Sequence, residues 1–253
     1  MSTRPLLLEA RYLWEQLARE PGSFPPMDGM NVIVSPESGL CPAGWIGVVA
    51  LGGSALVTAP DESTAATVRT ALAGLPAAAL VDAAAVREVL PVAGVLGPAA
   101  LAYLTPEGFR PAGGPSAVER LPGGHPALRA LEEAAGEEDS SEASLDEITS
   151  RAFVVREHGR VVAAAGYRAW PRRTAHISVL TAPEARGRGL ARTAASAAVA
   201  DALATGLLPQ WRARPPASRR VAAALGFEEL GAQLSLEPAP DGPAPRPLAT
   251  LLP

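Results

Sequence analysis

A chain of 253 residues with 48% apolar, 4% aromatic and 19% charged side chains can form one large domain or two small ones. Its core must be built from Ala, Val and Leu rather than from rings. A formal net charge of −4 argues against a protein that holds nucleic acid through its phosphates, and a single cysteine, Cys41, excludes an intrachain disulfide and a cysteine-based zinc site. The 22 basic residues are all arginine, a bias given no mechanistic weight.

Leu6 to Glu20 carries apolar residues near helical spacing and stops at Pro21-Gly22, which predicts an amphipathic helix. The apolar run Leu6-Leu7-Leu8 is too short for a signal peptide. Asn31–Val34, Trp45–Leu51 and Ser54–Thr58 read as strands, the last two joined by Gly52-Gly53. Asp61 offers an N-cap for a helix through Ala73. A short helix over Ala83–Leu90 and a buried strand over Ala99–Leu104 complete a small α/β unit. The uncharged stretches Leu40–Pro60 and Val89–Pro106 are interrupted by glycine and proline, so neither reads as a membrane-spanning helix. With the lone cysteine fitting a reducing compartment, a soluble, cytoplasmic protein without membrane contact is expected.

Arg110 to His125 is rich in glycine and proline and is expected to be an exposed connection. Beyond it the chain reads as helix, loop, helix over Ala127–Ile148, with an acidic run from Glu132 to Glu147 that contains no base. A hairpin follows over Phe153–Arg156 and Val161–Trp170, turning at His158-Gly159. Then come a strand over His176–Thr181, an Ala-rich helix over Gly189–Ala204, a strand over Gln210–Arg214, a helix over Ser218–Leu225 stopped by Gly226, and a last strand over Phe227–Leu236. The expected organisation is an N-terminal domain 1–110, a linker 111–125, a second domain 126–237 and a proline-rich tail 238–253.

The informative junction is Thr181-Ala-Pro-Glu-Ala-Arg-Gly-Arg-Gly-Leu-Ala191, where a strand enters a helix through a glycine-rich, arginine-flanked turn. Such a turn offers free backbone N–H groups and the positive end of a helix dipole to an anion, and glycine lets a phosphate approach closely. A nucleoside-triphosphate loop would need Gly-Lys-Ser/Thr, and the chain has no lysine. A dinucleotide fold would need a third glycine where Arg192 stands.

The residues Arg186-Gly187-Arg188-Gly189-Leu190-Ala191 resemble the coenzyme A signature Arg/Gln-x-x-Gly-x-Gly/Ala of the GNAT N-acetyltransferase superfamily. The order of elements around them is similar too, as is the pairing of Ser218-Arg219-Arg220 with Gly226-Phe227. The resemblance covers about Arg151 to Leu236. It implies an α/β fold with a mixed, mostly antiparallel sheet flanked by helices. It further implies acetyl-CoA as cofactor, an amine of unknown identity as acceptor, and transfer of the acetyl group between them. By its implication the backbone of Val179, Leu180 and Thr181 holds pantetheine. The N–H groups of Arg186, Gly187, Arg188, Gly189, Leu190 and Ala191 hold the pyrophosphate, and Ser218 is a further coenzyme-binding residue. The family's tyrosine acid falls at Ala222, and Pro215 stands where an asparagine is common. An acyl-CoA-binding module without chemistry is therefore the alternative.

His176 is the candidate base because an unperturbed imidazole suits proton transfer near neutrality, and Ser178 on the same strand face could position a water instead. Tyr167 and Trp170 are read as lining the acceptor pocket, with core packing as the alternative. The acidic run, if it covers the site, would favour a cationic amine. No metal is expected. The segment Trp45–Ala73 faintly echoes the same fold order without the signature. The first half is accordingly read as a degenerate copy, giving a monomeric pseudo-dimer or a homodimer.

Overall fold

The computed structural model describes residues 3–26, 28–112 and 118–239. In chain order they form α1 (Thr3–Leu17), β1 (Gly29–Val34), β2 (Ile46–Leu51), β3 (Ser54–Ala59), α2 (Glu62–Leu72), α3 (Ala83–Val89), β4 (Val92–Tyr103) and β5 (Val118–Leu121). These are followed by α4 (Pro126–Ala135), α5 (Glu137–Ala143), β6 (Ala152–Glu157), β7 (Arg160–Trp170), β8 (Thr174–Thr181), α6 (Leu190–Ala204), β9 (Leu208–Ala213), α7 (Pro216–Leu225) and β10 (Glu228–Pro238). From residue 240 onward the expected tail lies outside the described residues, as do 113–117 of the expected linker. No helix among the described residues is long and apolar enough to cross a membrane.

Local chemistry sets many of these ends. Asp61 caps α2, accepting from the Thr64 amide at 2.8 Å. Asp82 caps α3 through the Ala84 and Ala85 amides, and α7 stops at Gly226 in a left-handed C-cap. The Gly52-Gly53 pair turns β2 into β3 with Leu51 facing Ser54.

Two compact units result. The larger holds residues 3–6 and 100–230, the smaller 7–99 and 231–239. This differs from the boundary expected at 111–125. The chain changes unit inside β4, after Ala99, and again inside β10, after Leu230. Strand pairing outweighs composition as the cause. Gly231–Leu236 pair antiparallel with Leu51–Ile46, so the end of the expected second domain completes the sheet of the smaller unit. Any Cβ at Gly231 would sit 1.8 Å from the Ala50 carbonyl oxygen, so this approach requires glycine. The expected linker contains β5, which pairs antiparallel with β6 from Val118↔Val155 to Leu121↔Ala152.

In the smaller unit the strand order is β1-β3-β2-β10-β4, with β1 parallel to β3 and β2 antiparallel to both β3 and β10. Its core joins Val48, Val57, Val68, Leu72, Leu80 and Leu234. In the larger unit the order is β4-β9-β8-β7-β6-β5, antiparallel in each pair except β8–β9. α6 lies on β6, β7 and β8, where Ala194, Ala195 and Ala198 are buried in one core with Ala163–Ala165; side chains this small let the helix lie close to the sheet. Alternation on β7 separates the two sheet faces. Gly166 faces Ile148, and Tyr167 faces α6.

Candidate active site

β8 pairs with β7 along its whole length, from Trp170↔Thr174 to Ala163↔Thr181. With β9 it pairs in parallel over only three positions, Thr174↔Leu208 to His176↔Gln210. Past His176 the two strands part, so one edge of Ile177–Thr181 is left without a strand partner. Unpaired strand amides can bind an extended ligand that carries amides of its own.

The chain then makes a single 3-10 turn, Pro183–Ala185, and enters α6 through Gly187 and Gly189 at φ 75° and 80°. Both angles lie in the left-handed region that glycine adopts without strain. An added Cβ at either position would meet nothing within 4 Å, so the space beside the turn is open. Gly189 is the N-cap and contributes no side-chain cap. The first helical bond is donated by the Thr193 amide to the Gly189 carbonyl. The amides of Leu190, Ala191 and Arg192 therefore have no acceptor within the helix.

The open edge and the uncapped helix border one cavity of about 560 Å³. Val179, Leu180, Thr181, Arg186, Gly187, Gly189, Leu190, Ala191 and Ser218 all line it, as do His176 and Ser178. Arg188 does not. Its guanidinium makes two bonds to the Glu157 carboxylate, at 2.8 and 2.5 Å, which hold that carboxyl below its usual range. The expectation for Arg188 concerns its backbone N–H, which the engagement of its side chain by Glu157 leaves in the turn. Ser218 Oγ accepts from Trp211 Nε1 at 3.0 Å, and Trp211 meets Phe227 edge to face.

The residues expected around the acceptor are rearranged. Tyr167 is buried on the α6 face of the sheet, donating from its hydroxyl to Asp201 at 2.9 Å, and does not border the cavity. It is a core residue; the alternation that puts Gly166 on one face puts Tyr167 on the other. Trp170 stacks on the His176 ring, with centroids 4.1 Å apart and planes 8° from parallel. His176 Nδ1 lies 2.6 Å from Gln210 Oε1, which requires that Nδ1 carry the proton. Burial, reinforced by the charges of Arg212 and Arg168, pushes the His176 pKa down to about 3 against the pull of Gln210. The ring is neutral at pH 7. As a base it would face an ammonium of pKa about 10 across about seven pH units, or roughly 10 kcal/mol. Ser178 is buried and donates weakly to the Ser144 carbonyl at 3.4 Å.

The acidic run does reach the site, through Asp139, Glu142 and Ala143 of α5. Its carboxylates there are not free. Asp139 accepts from Arg186 at 2.6 Å, Glu142 is paired with Arg214, and nearby Glu147 is paired with Arg168. The sequence reading also missed Arg192, in the first turn of α6, and the cavity-facing stripe Ala217, Arg220, Val221 and Ala224 of α7. The helical spacing of that stripe was visible, but its partner surface was not. Among the described residues no three His, Cys, Asp or Glu side chains gather as a metal site would require.

The family model for GNAT acetyltransferases matches residues 149–232. No curated protein matches the sequence. Among solved structures, a GNAT-family acetyltransferase from Novosphingobium aromaticivorans is 26% identical, over 59% of this chain and 67% of that one, with a TM-score of 0.47. A GCN5-related N-acetyltransferase from Kribbella flavida is 20% identical, over 62% and 64%, with a TM-score of 0.47. A GNAT-family acetyltransferase from Colwellia psychrerythraea is 14% identical, over 72% and 75%, with a TM-score of 0.45. With its Arg186–Ala191 signature at the uncapped start of α6, the segment 149–232 is a GNAT acetyltransferase domain.

Proposed function

We propose that the larger unit transfers an acetyl group from acetyl-CoA to an amine. The observation that carries this reading is the meeting of an uncapped helix N-terminus and an open strand edge in one cavity. The residues fit the coenzyme. The amides from Gly187 to Arg192 suit a pyrophosphate, with Arg192 and Arg220 adding positive charge, and the free edge of Val179–Thr181 suits the amides of a pantetheine arm. The coenzyme supplies an activated thioester. The chain's own part is to hold that group where β8 and β9 part, beside Ser178 and the neutral His176, and to keep bulk water from it.

Calorimetric titration of the full chain with acetyl-CoA and with coenzyme A, beside thiol release in the presence of amines, tests this. Binding with amine-dependent thiol release supports transfer, and no binding by the native chain sinks it. A second reading, an acyl-CoA-binding module without turnover, is favoured by the neutral His176 and by Ala222 standing where a tyrosine acid is expected. Binding without thiol release for any amine would establish it.

A further inference from the structure

Expelling a thiolate from a thioester puts negative charge on sulfur, and a hydrogen-bond donor already in place there stabilises that charge. Most donors near the point where β8 and β9 part are committed. His176 Nδ1 is held by Gln210 at 2.6 Å, Arg168 is paired with Glu147, and Arg214 with Glu142. Arg212 is engaged as well and faces Glu142 and Glu147. Ser178 donates to the Ser144 carbonyl at 3.4 Å. Thr181 Oγ1 has no partner among the described residues, but it lies five residues beyond His176 on β8, about 16 Å at the rise of a strand.

Ser218 differs. Trp211 is the first residue of β9 past the last β8–β9 pair, His176↔Gln210, and its Nε1 lies 3.0 Å from Ser218 Oγ. An indole N–H can only donate, so Ser218 accepts through a lone pair and keeps its own O–H proton to give. Among the described residues no group takes that proton, and Ser218 borders the cavity. Accepting from Trp211 also makes the hydroxyl a better donor, because chained hydrogen bonds polarise one another. Ser218 stands in the first turn of α7, which has no side-chain cap and no acid in that turn. The first helical bond there is donated by the Arg219 amide to the Pro215 carbonyl, so the amides of Ala217 and Ser218 have no acceptor within the helix. Pro215 and Ala217 border the same cavity, which puts the positive start of α7 beside the hydroxyl.

We propose that Ser218 is a catalytic residue, whose hydroxyl donates a hydrogen bond to the sulfur of the coenzyme as the acetyl group leaves it. This rests on the acetyl-transfer reading and fills in its leaving-group side. The amine nitrogen forms the C–N bond at the carbonyl carbon, the C–S bond breaks with its electron pair on sulfur, and nitrogen sheds its proton to water. The proton of Ser218 stays on oxygen, since a hydroxyl is a far weaker acid than a thiol. A tyrosine at residue 222 could not take this part here, because Ala222 is buried in the core and does not border the cavity.

The test reads the thiol itself. Coenzyme A bound to the full chain is titrated by the ultraviolet absorbance of its thiolate, against the chain holding desulfo-coenzyme A, in the native protein, Ser218→Ala and Ser218→Thr. In the native chain the bound thiol should ionise at lower pH than free coenzyme A, and Ser218→Ala should raise it by about one pH unit, the tenfold that a hydrogen bond to a charged atom contributes. Ser218→Thr, which keeps a hydroxyl, should stay close to the native value. Acetyl-CoA has no charge on its sulfur, so calorimetry should find its affinity for Ser218→Ala within about threefold of native. Equal ionisation in the native chain and Ser218→Ala, or a shift that Ser218→Thr shares, would overturn the assignment and leave acetyl transfer standing. Acetyl-CoA affinity lost in step with the thiolate would make Ser218 a binding residue alone and overturn it too. No binding of either coenzyme form by the native chain would remove the acetyl-transfer reading, and this assignment with it.

Discussion

Two of the junctions at which a strand feeds a helix through a short turn with a proline end in opposite chemistry. At the first, β3 passes through Pro60 to Asp61, whose carboxylate accepts from the Thr64 amide at 2.8 Å and the Thr64 hydroxyl at 3.0 Å, with Glu62 behind it in the first turn of α2. Those bonds hold the Asp61 carboxyl below its usual range. At the second, β8 passes through Pro183 to Gly189, and α6 starts with no side-chain cap and no acid in its first turn. The first helix supplies its own anion and closes. The second leaves its amides open beside a cavity. A polar side chain on an extended N-cap thus closes one helix start, whereas a left-handed glycine with no side chain leaves the other uncapped.

The contrast extends to the feeding strands and can be sharpened with acid. β3 buries the neutral hydroxyls of Ser54 and Thr58, whereas β8 holds a histidine whose pKa lies near 3. In the unfolded chain that histidine titrates near its ordinary 6.5, so between the two values the unfolded state takes up a proton that the folded state refuses. Stability therefore falls as pH drops from about 6.5 toward 3, by about 1.4 kcal/mol per unit and up to about 5 kcal/mol, and is unaffected by this group above that window. Urea midpoints at neutral and acid pH should fall further for the native chain than for His176→Phe, which cannot titrate; equal falls would mean that His176 is not held neutral.

Carrying the cap of α2 over to α6 is expected to close the anion site. Gly189→Asp puts a carboxylate against the incoming phosphates at a cost of about 3 kcal/mol, or about a hundredfold in coenzyme A affinity. Gly189→Asn carries the same backbone strain without the charge and should stay within about tenfold of the native affinity. If the two variants bind equally, the loss comes from strain and the contrast between the junctions is mistaken.

The reverse change is smaller. Asp61→Ala should cost about 1 kcal/mol in denaturant unfolding and should create no second coenzyme site, because Glu62 remains and no glycine turn precedes α2. A second binding event in calorimetry would break the comparison from the other side. Smallest of all, Asp139→Asn releases Arg186 from an exposed ion pair worth at most about 1 kcal/mol, so coenzyme A should bind up to about fivefold more tightly. Weaker binding would show that Asp139 orients Arg186 rather than competing for it.

Most of what is local was legible in the sequence. The caps at Asp61 and Gly226, the hairpin at Gly52-Gly53, the turn at His158-Gly159 and the glycine turn into α6 each depend on residues a few positions apart. β5 was not legible, because Val118–Leu121 lies in glycine- and proline-rich sequence and is a strand only through its pairing with β6. Nor was the early start of β4 at Val92, seven residues before the expected Ala99. The unit boundaries were hidden for the same reason, since composition marks where a chain bends and not which strand it will pair with.

By itself, then, the sequence determined a glycine-opened helix start behind a strand, because hydrogen bonding and φ preferences act within a turn. Tertiary structure alone decided that β8 and β9 part after His176, that Glu157 takes the Arg188 side chain, that Asp139 and Glu142 are held by arginines far along the chain, and that His176 is neutral. These are facts of charge and proton affinity set by groups tens of residues distant. They depend on which neighbours folding brings within a few ångströms, where electrostatic and desolvation effects become large enough to reassign a side chain.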